Sequence, residues 1–201
     1  MKQTAVNQIK NRIKKKLSGK KGFSLGELLA ATIIILLASQ VMTQGMAFAT
    51  RMYNESMSRS HAKQLCSTLT NVIETELRYT TSITTSSTSD GTVLATYFSP
   101  NYGETQSSFC VIDNKGVQVG GTKAGEIAVK VQEENGSSRW QKLISSASYS
   151  SFNLKALIDS VKINGNTFQV RLQITDKNDN ILVTSTFDVI PVNELKITAS
   201  N

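Results

Sequence analysis

Histidine and tryptophan each occur once in these 201 residues, and proline and cysteine each occur twice. The shortage of histidine removes most metal-ligand and hydrolase constellations. His61 is the only base of its kind, no Asp or Cys stands near it at ligand spacing, and none of the many serines lies in a nucleophile motif. The chain therefore reads as a non-enzyme without a cofactor, and His61 as a helix residue. Prolines are absent before residue 100, so nothing of that kind interrupts a helix over 23–79. Acidic residues are missing from the first 22 positions, which hold Lys2, Lys10, Arg12, Lys14, Lys15, Lys16, Lys20 and Lys21. The formal charge of +7 invites a nucleic-acid partner. Without those eight bases, however, 14 Lys+Arg face 15 Asp+Glu, and direct nucleic-acid binding loses its support.

Residues 23–42 form a nearly unbroken apolar segment, long enough as a helix to span roughly 30 Å, the thickness of a bilayer core. A basic cluster on one flank keeps that flank in the cytoplasm and sends the remainder across. Two features are unusual for a plain anchor. Lys20-Lys21-Gly22 sits directly at its start, and one carboxylate, Glu27, lies in its first turns, where an unpaired acid costs about 2.5–3.5 kcal/mol on insertion scales.

Lys20-Lys21-Gly22-Phe23-Ser24-Leu25-Gly26-Glu27 followed by an apolar run resembles the class III signal of type IV pilins and pseudopilins. The resemblance implies cleavage by a prepilin peptidase between Gly22 and Phe23, N-methylation of Phe23, and a filament-assembly role for Glu27, then fifth in the mature chain. It further implies a single-pass membrane precursor, N-terminus cytoplasmic and head outside, later extracted by an ATPase-driven machine into an extracellular filament. Its partners are then other pilin subunits, the peptidase, the assembly machinery and the membrane. The match is close over residues 20–43. Gly26 replaces the usual bulky apolar residue, the leader is long, and Gln44 stands where many major pilins carry proline. These departures lean toward a minor pilin or pseudopilin, whether of a pilus, a type II-like secretion system or a DNA-uptake system.

Two other readings use the same residues. Ala47-Phe48-Ala49 resembles a secretory cleavage triplet, although it follows Leu37 by ten residues with Gln40 and Gln44 between. Residues 1–21 also serve as the basic flank of an uncleaved anchor. Either would make the chain a secreted or membrane-tethered binding module.

Beyond Met42 the pattern becomes amphipathic. Ala62, Leu65, Cys66, Leu69, Val72, Ile73 and Leu77 share one helical stripe, with Arg59, Lys63, Glu74, Glu76 and Arg78 mostly off its centre. Ten of the 13 residues in 80–92 are Ser or Thr, which predicts a loop. From there the period drops to two, with strands expected at 92–98, 108–112, 117–119, 126–132, 138–144, 161–163, 167–174 and 181–189, and a short helix at 152–160. Asn164-Gly165 is the strongest hairpin signal. The expected architecture is α+β: a leader over 1–22, a long helix over 23–79, a Ser/Thr-rich loop over 80–92, and an antiparallel β head over 93–201.

Three local signals remain. Residues 116–123 end Gly-Thr-Lys where a phosphate loop needs Gly-Lys-Ser/Thr. Asp176 and Asp179 begin a calcium-like loop, but Ile181 occupies its glycine position and Phe187 its bidentate-glutamate position. Certain pseudopilins hold calcium in a C-terminal loop of different geometry, which leaves these two acids as the candidate ligands. Cys66 and Cys110 either close a disulfide loop of about 45 residues, worth at most roughly 4 kcal/mol, or act as two small buried hydrophobes.

Overall fold

Leu25–Arg78 forms one uninterrupted helix, α1, as the lack of proline allows. The computed structural model describes residues 24–88, 91–103, 105–113, 115–119, 123–133 and 136–199. The chain divides into two compact units between Tyr53 and Asn54.

The first unit presents α1 up to residue 53, where every described residue is exposed. Its apolar side chains are exposed with the rest; Leu28 is 60% and Ile34 66% exposed. Its hydroxyls are satisfied locally. Thr32 donates to the Leu29 carbonyl at 2.8 Å, Ser39 to Leu36 at 2.8 Å and Thr43 to Ser39 at 2.9 Å. Such back-bonding removes the need for water around a polar side chain. This segment is long and apolar enough to cross a membrane.

The second unit is an α+β head in which the later turns of α1 pack on a sheet. Ala62, Leu65, Cys66, Leu69, Ile73 and Leu77 are buried, the expected stripe, while Val72 is half-buried. Glu76, placed off that stripe by periodicity alone, is also buried, and its Oε2 accepts from Asn101 Nδ2 at 2.9 Å. Nine strands are present among the described residues: β1 Ser82–Thr88, β2 Gly91–Phe98, β3 Gln106–Ile112, β4 Glu126–Gln132, β5 Ser138–Lys142, β6 Lys155–Asn164, β7 Thr167–Thr175, β8 Ile181–Val189 and β9 Lys196–Ala199. The spatial order is β5-β4-β3-β2-β6-β7-β8, with β1 on the other edge of β2 and β9 beside β1. Pairing is antiparallel except between β1 and β9. Ile127, Val129 and Val131 of β4 and Phe168, Val170, Leu172 and Ile174 of β7 complete the core against α1.

Two expectations need correction. The Ser/Thr-rich stretch is mostly strand rather than loop: β1 pairs with β2 from Ser82↔Phe98 to Thr88↔Gly91. Threonine is β-branched and suits a pleated surface, and Ile83, the one large apolar residue of the run, is buried. The helix expected at 152–160 is instead the start of β6, and the only helical turn nearby is α2, Ala147–Ser150. There, pairing with β7 from Lys155↔Thr175 onward outweighs local helix preference. Residues 117–119 make a single bridge, Ile112↔Gln118, rather than a full strand. The Asn-Gly turn is as expected, with Gly165 at φ 61° and Asn164 opposite Thr167.

Gly125 joins the two arms of the sheet, because it and Ala156 exchange main-chain hydrogen bonds of 2.9 and 2.7 Å. A Cβ at this position would stand 2.4 Å from the Ile112 carbonyl oxygen and 2.8 Å from Val111 Cγ1. Backbone cannot yield as a side-chain tip can. Gly125→Ala should therefore lower head stability by about 1–3 kcal/mol in denaturant melts. An unchanged midpoint would contradict this close approach.

Candidate functional site

The chemistry expected of the sequence concentrates at the start of α1. Ser24 precedes the first helical residue, and its Oγ accepts from Gly26 N at 3.2 Å. Its carbonyl accepts from Leu28 N at 3.1 Å, opening the helical ladder. Its own amide donates to Glu27 Oε2 at 3.0 Å. Together these contacts form a variant of the capping box, in which the Glu27 carboxylate takes the Ser24 N–H while the Ser24 hydroxyl takes the N–H of Gly26. The sequence reading assigned Glu27 to assembly and overlooked this local task, although Ser24-x-x-Glu27 was its signal. The box accounts for how a carboxylate can sit at the head of an apolar helix: it is anchored to its own backbone and lies where the helix dipole favours negative charge. Gly22 and Phe23, the expected cleavage junction, lie outside the described residues.

Cys66 and Cys110 are both free and buried, and the sheet separates them. Cys66 belongs to the core between α1 and the sheet, near Ser185 of β8. Cys110 faces the other side with Ile112, Ala128 and Trp140, and its Sγ donates to the Ala128 carbonyl at 3.3 Å. The expected bridge is thus not present, for a reason of strand parity. Phe109 and Val129 point toward the helix, so Cys110 and its partner Ala128 point away. Burial raises both thiols, Cys110 to about 11, and suppresses the reactive thiolate.

Asp176 and Asp179 do not converge on a common point. Asp176 Oδ1 accepts from the amides of Asn178 and Asn180 at 2.8 and 2.9 Å, and its Oδ2 accepts from Asn180 Nδ2 at 2.9 Å. Asp179 instead pairs with Lys155 Nζ at 2.7 Å. The pattern is a self-satisfied turn between β7 and β8. Among the described residues, no three His, Cys, Asp or Glu side chains are grouped to hold a metal. The glycine-rich stretch that imitates a phosphate loop is followed in the chain by β4 rather than by the helix such a loop opens, and its residues 120–122 lie outside the described residues. His61 stacks on Phe152, with ring centroids 3.5 Å apart.

Searches against protein-family models, curated proteins and solved structures return no match for this chain.

Two measurements check this description. In native protein at neutral pH neither cysteine should react with iodoacetamide, and both should be labelled after unfolding without reductant. A denatured, unreduced protein that takes up no label would restore the bridge. The hydrogen bonds from Asn180 hold Asp176 below its ordinary value of 3.8. The stability this lends is complete above pH 3.8 and is lost as the pH falls through the lowered value. Asp176→Ala should therefore weaken the head at pH 6 and converge with the parent in strong acid.

Proposed function

We propose that the chain is a pilin-like structural subunit, a minor pilin or pseudopilin, cut after Gly22, methylated at Phe23 and assembled into a type IV pilus-like filament. One observation carries this reading: an exposed, uninterrupted apolar helix whose first turn holds a single carboxylate, Glu27, immediately after the Lys-Lys-Gly-Phe junction. A small β head that follows the apolar segment in the chain is in keeping with it. In the precursor the helix lies in the membrane, basic flank in the cytoplasm and head outside. In the fibre, apolar faces of neighbouring helices replace the lipid.

Cleavage gives Phe23 an amine that stays basic after monomethylation. Glu27 is its natural counter-charge in a low-dielectric surround. The capping box gives the carboxylate a resting partner, Ser24 N–H, until an amine of its own or a neighbouring subunit approaches. The plain alternative, a tethered binding module, uses the same helix as an anchor and gives Glu27 nothing beyond capping.

The intact mass of the membrane-extracted protein separates these readings. The pilin reading requires a chain that starts at methylated Phe23 and retention of the leader in a Gly22→Val variant. A leader still attached in the parent, or a start at Thr50, overturns it. Two substitutions then divide the roles of Glu27. Glu27→Gln keeps an acceptor for Ser24 N–H and loses the charge, whereas Glu27→Val loses both, at a cost of about 1 kcal/mol in the first turn. Both variants should insert and keep a folded head, with the glutamine variant entering sheared filaments poorly and the valine variant least. Normal incorporation of both would remove Glu27 from assembly.

A further inference from the structure

Where Gly125 meets Ala156, the head has an open cleft of about 610 Å³, within the size range of ordinary ligand sites. It lies among the end of β3, the entry to β4, the start of β6 and the turn between β7 and β8. Ile112, Tyr149 and Leu154 line it and are all buried, so its inner wall is apolar. Its rim carries three acids, Asp113, Glu126 and Asp179, and three bases, Lys123, Lys155 and Lys177.

These charges are unequally engaged. Asp113 Oδ1 accepts the amides of Lys115 and Val117 at 2.9 and 2.8 Å. Glu126 takes Lys142 at 2.8 Å and the Ser146 hydroxyl at 2.9 Å. Asp179 takes Lys155 at 2.7 Å, and the Lys155 ammonium also donates to the Lys177 carbonyl at 3.3 Å. Each acid therefore already has its donors, and Lys155 its acceptors. Lys123 and Lys177 differ: both are exposed, and among the described residues neither ammonium has an acceptor. The backbone sets two sides of the rim. Asn153 and Asp179, at φ 51° and 64°, are the two non-glycine residues of positive φ among the described residues, and both line this cleft. That conformation is uncommon outside glycine and marks tight turns.

We propose that this cleft binds a small organic anion, its acidic group held by Lys123 and Lys177 and its apolar body set against Ile112, Tyr149 and Leu154. An ammonium without an acceptor gains a charge-assisted hydrogen bond from a carboxylate or phosphate oxygen. Cations are disfavoured because the rim acids are already engaged. Two ammoniums also reach too few phosphates to hold a nucleic acid. The apolar wall separates an organic anion from a bare inorganic one, which would leave that wall uncovered. This inference is independent of the pilin reading, since it concerns the head alone.

The test is NMR of the full chain in nonionic detergent, following the amides of 112, 124–126, 153–155 and 177. Phenyl phosphate supplies charge and apolar body, inorganic phosphate the charge alone, benzyl alcohol the body alone, and glucose 6-phosphate a polar body. Phenyl phosphate should shift these amides with Kd of about 1 mM. The other three probes should bind at least about tenfold more weakly. Lys123→Gln and Lys177→Gln should each weaken phenyl phosphate roughly threefold, and together roughly tenfold. Asp179→Asn releases Lys155 toward the cleft and should tighten binding roughly threefold. The substituted side chains are exposed, so amides away from the cleft should keep their positions. Unchanged affinity in the double variant would overturn the proposal, as would equal binding of benzyl alcohol or silence at about 10 mM phenyl phosphate. Glucose 6-phosphate binding as tightly as phenyl phosphate would reject the apolar body. Weaker binding in Asp179→Asn would place the anion on the turn itself and reject the lysine assignment.

Discussion

Everything in this structure depends on what α1 can bury. From Ala62 to Leu77 its apolar stripe lies against β4 and β7, and that contact makes the core of the head. Leu69, Ile73 and Leu77 are fully buried there. The upstream turns of the same helix, up to residue 53, are exposed at every described residue although they are more apolar. A continuous helix with one part covered and the other bare needs a second apolar environment, whether lipid or other helices. The backbone bonds of a helix are internal, so moving this segment between lipid and protein breaks none of them.

The head meets many of its polar requirements through direct side-chain contacts, although Glu76 Oε1, Tyr97 Oη and Thr175 Oγ1 are buried without a hydrogen-bond partner among the described residues. Glu126, 8% exposed, takes Lys142 at 2.8 Å and Ser146 at 2.9 Å. Tyr149 Oη accepts the Ile127 amide at 3.1 Å, fixing α2 to β4, and burial raises its phenol. Asp113 and Asp176 each tie a turn by accepting main-chain amides two and four residues on. The same economy appears at Ser24 and Glu27, where a helix start settles its own donors before any partner arrives.

Several features followed from residue order alone because their causes are local. The helix over 23–79 required only an apolar period and no proline, and the structure has it as Leu25–Arg78. The Asn164-Gly165 hairpin and the buried stripe from Ala62 to Leu77 followed from turn chemistry and from the 3.6 period. Other features depended on pairing between distant residues. Ser and Thr in 82–88 form strand only because β2 and β9 flank them, and 155–160 form strand because β7 does. The separation of Cys66 from Cys110 rested on one residue of register between β3 and β4, which no spacing along the chain reveals. Sequence determined the elements whose energies are intramural: helix, turns and the box at Ser24. Tertiary structure decided which edges found partners and which face each side chain took, because a strand's energy resides in its neighbours.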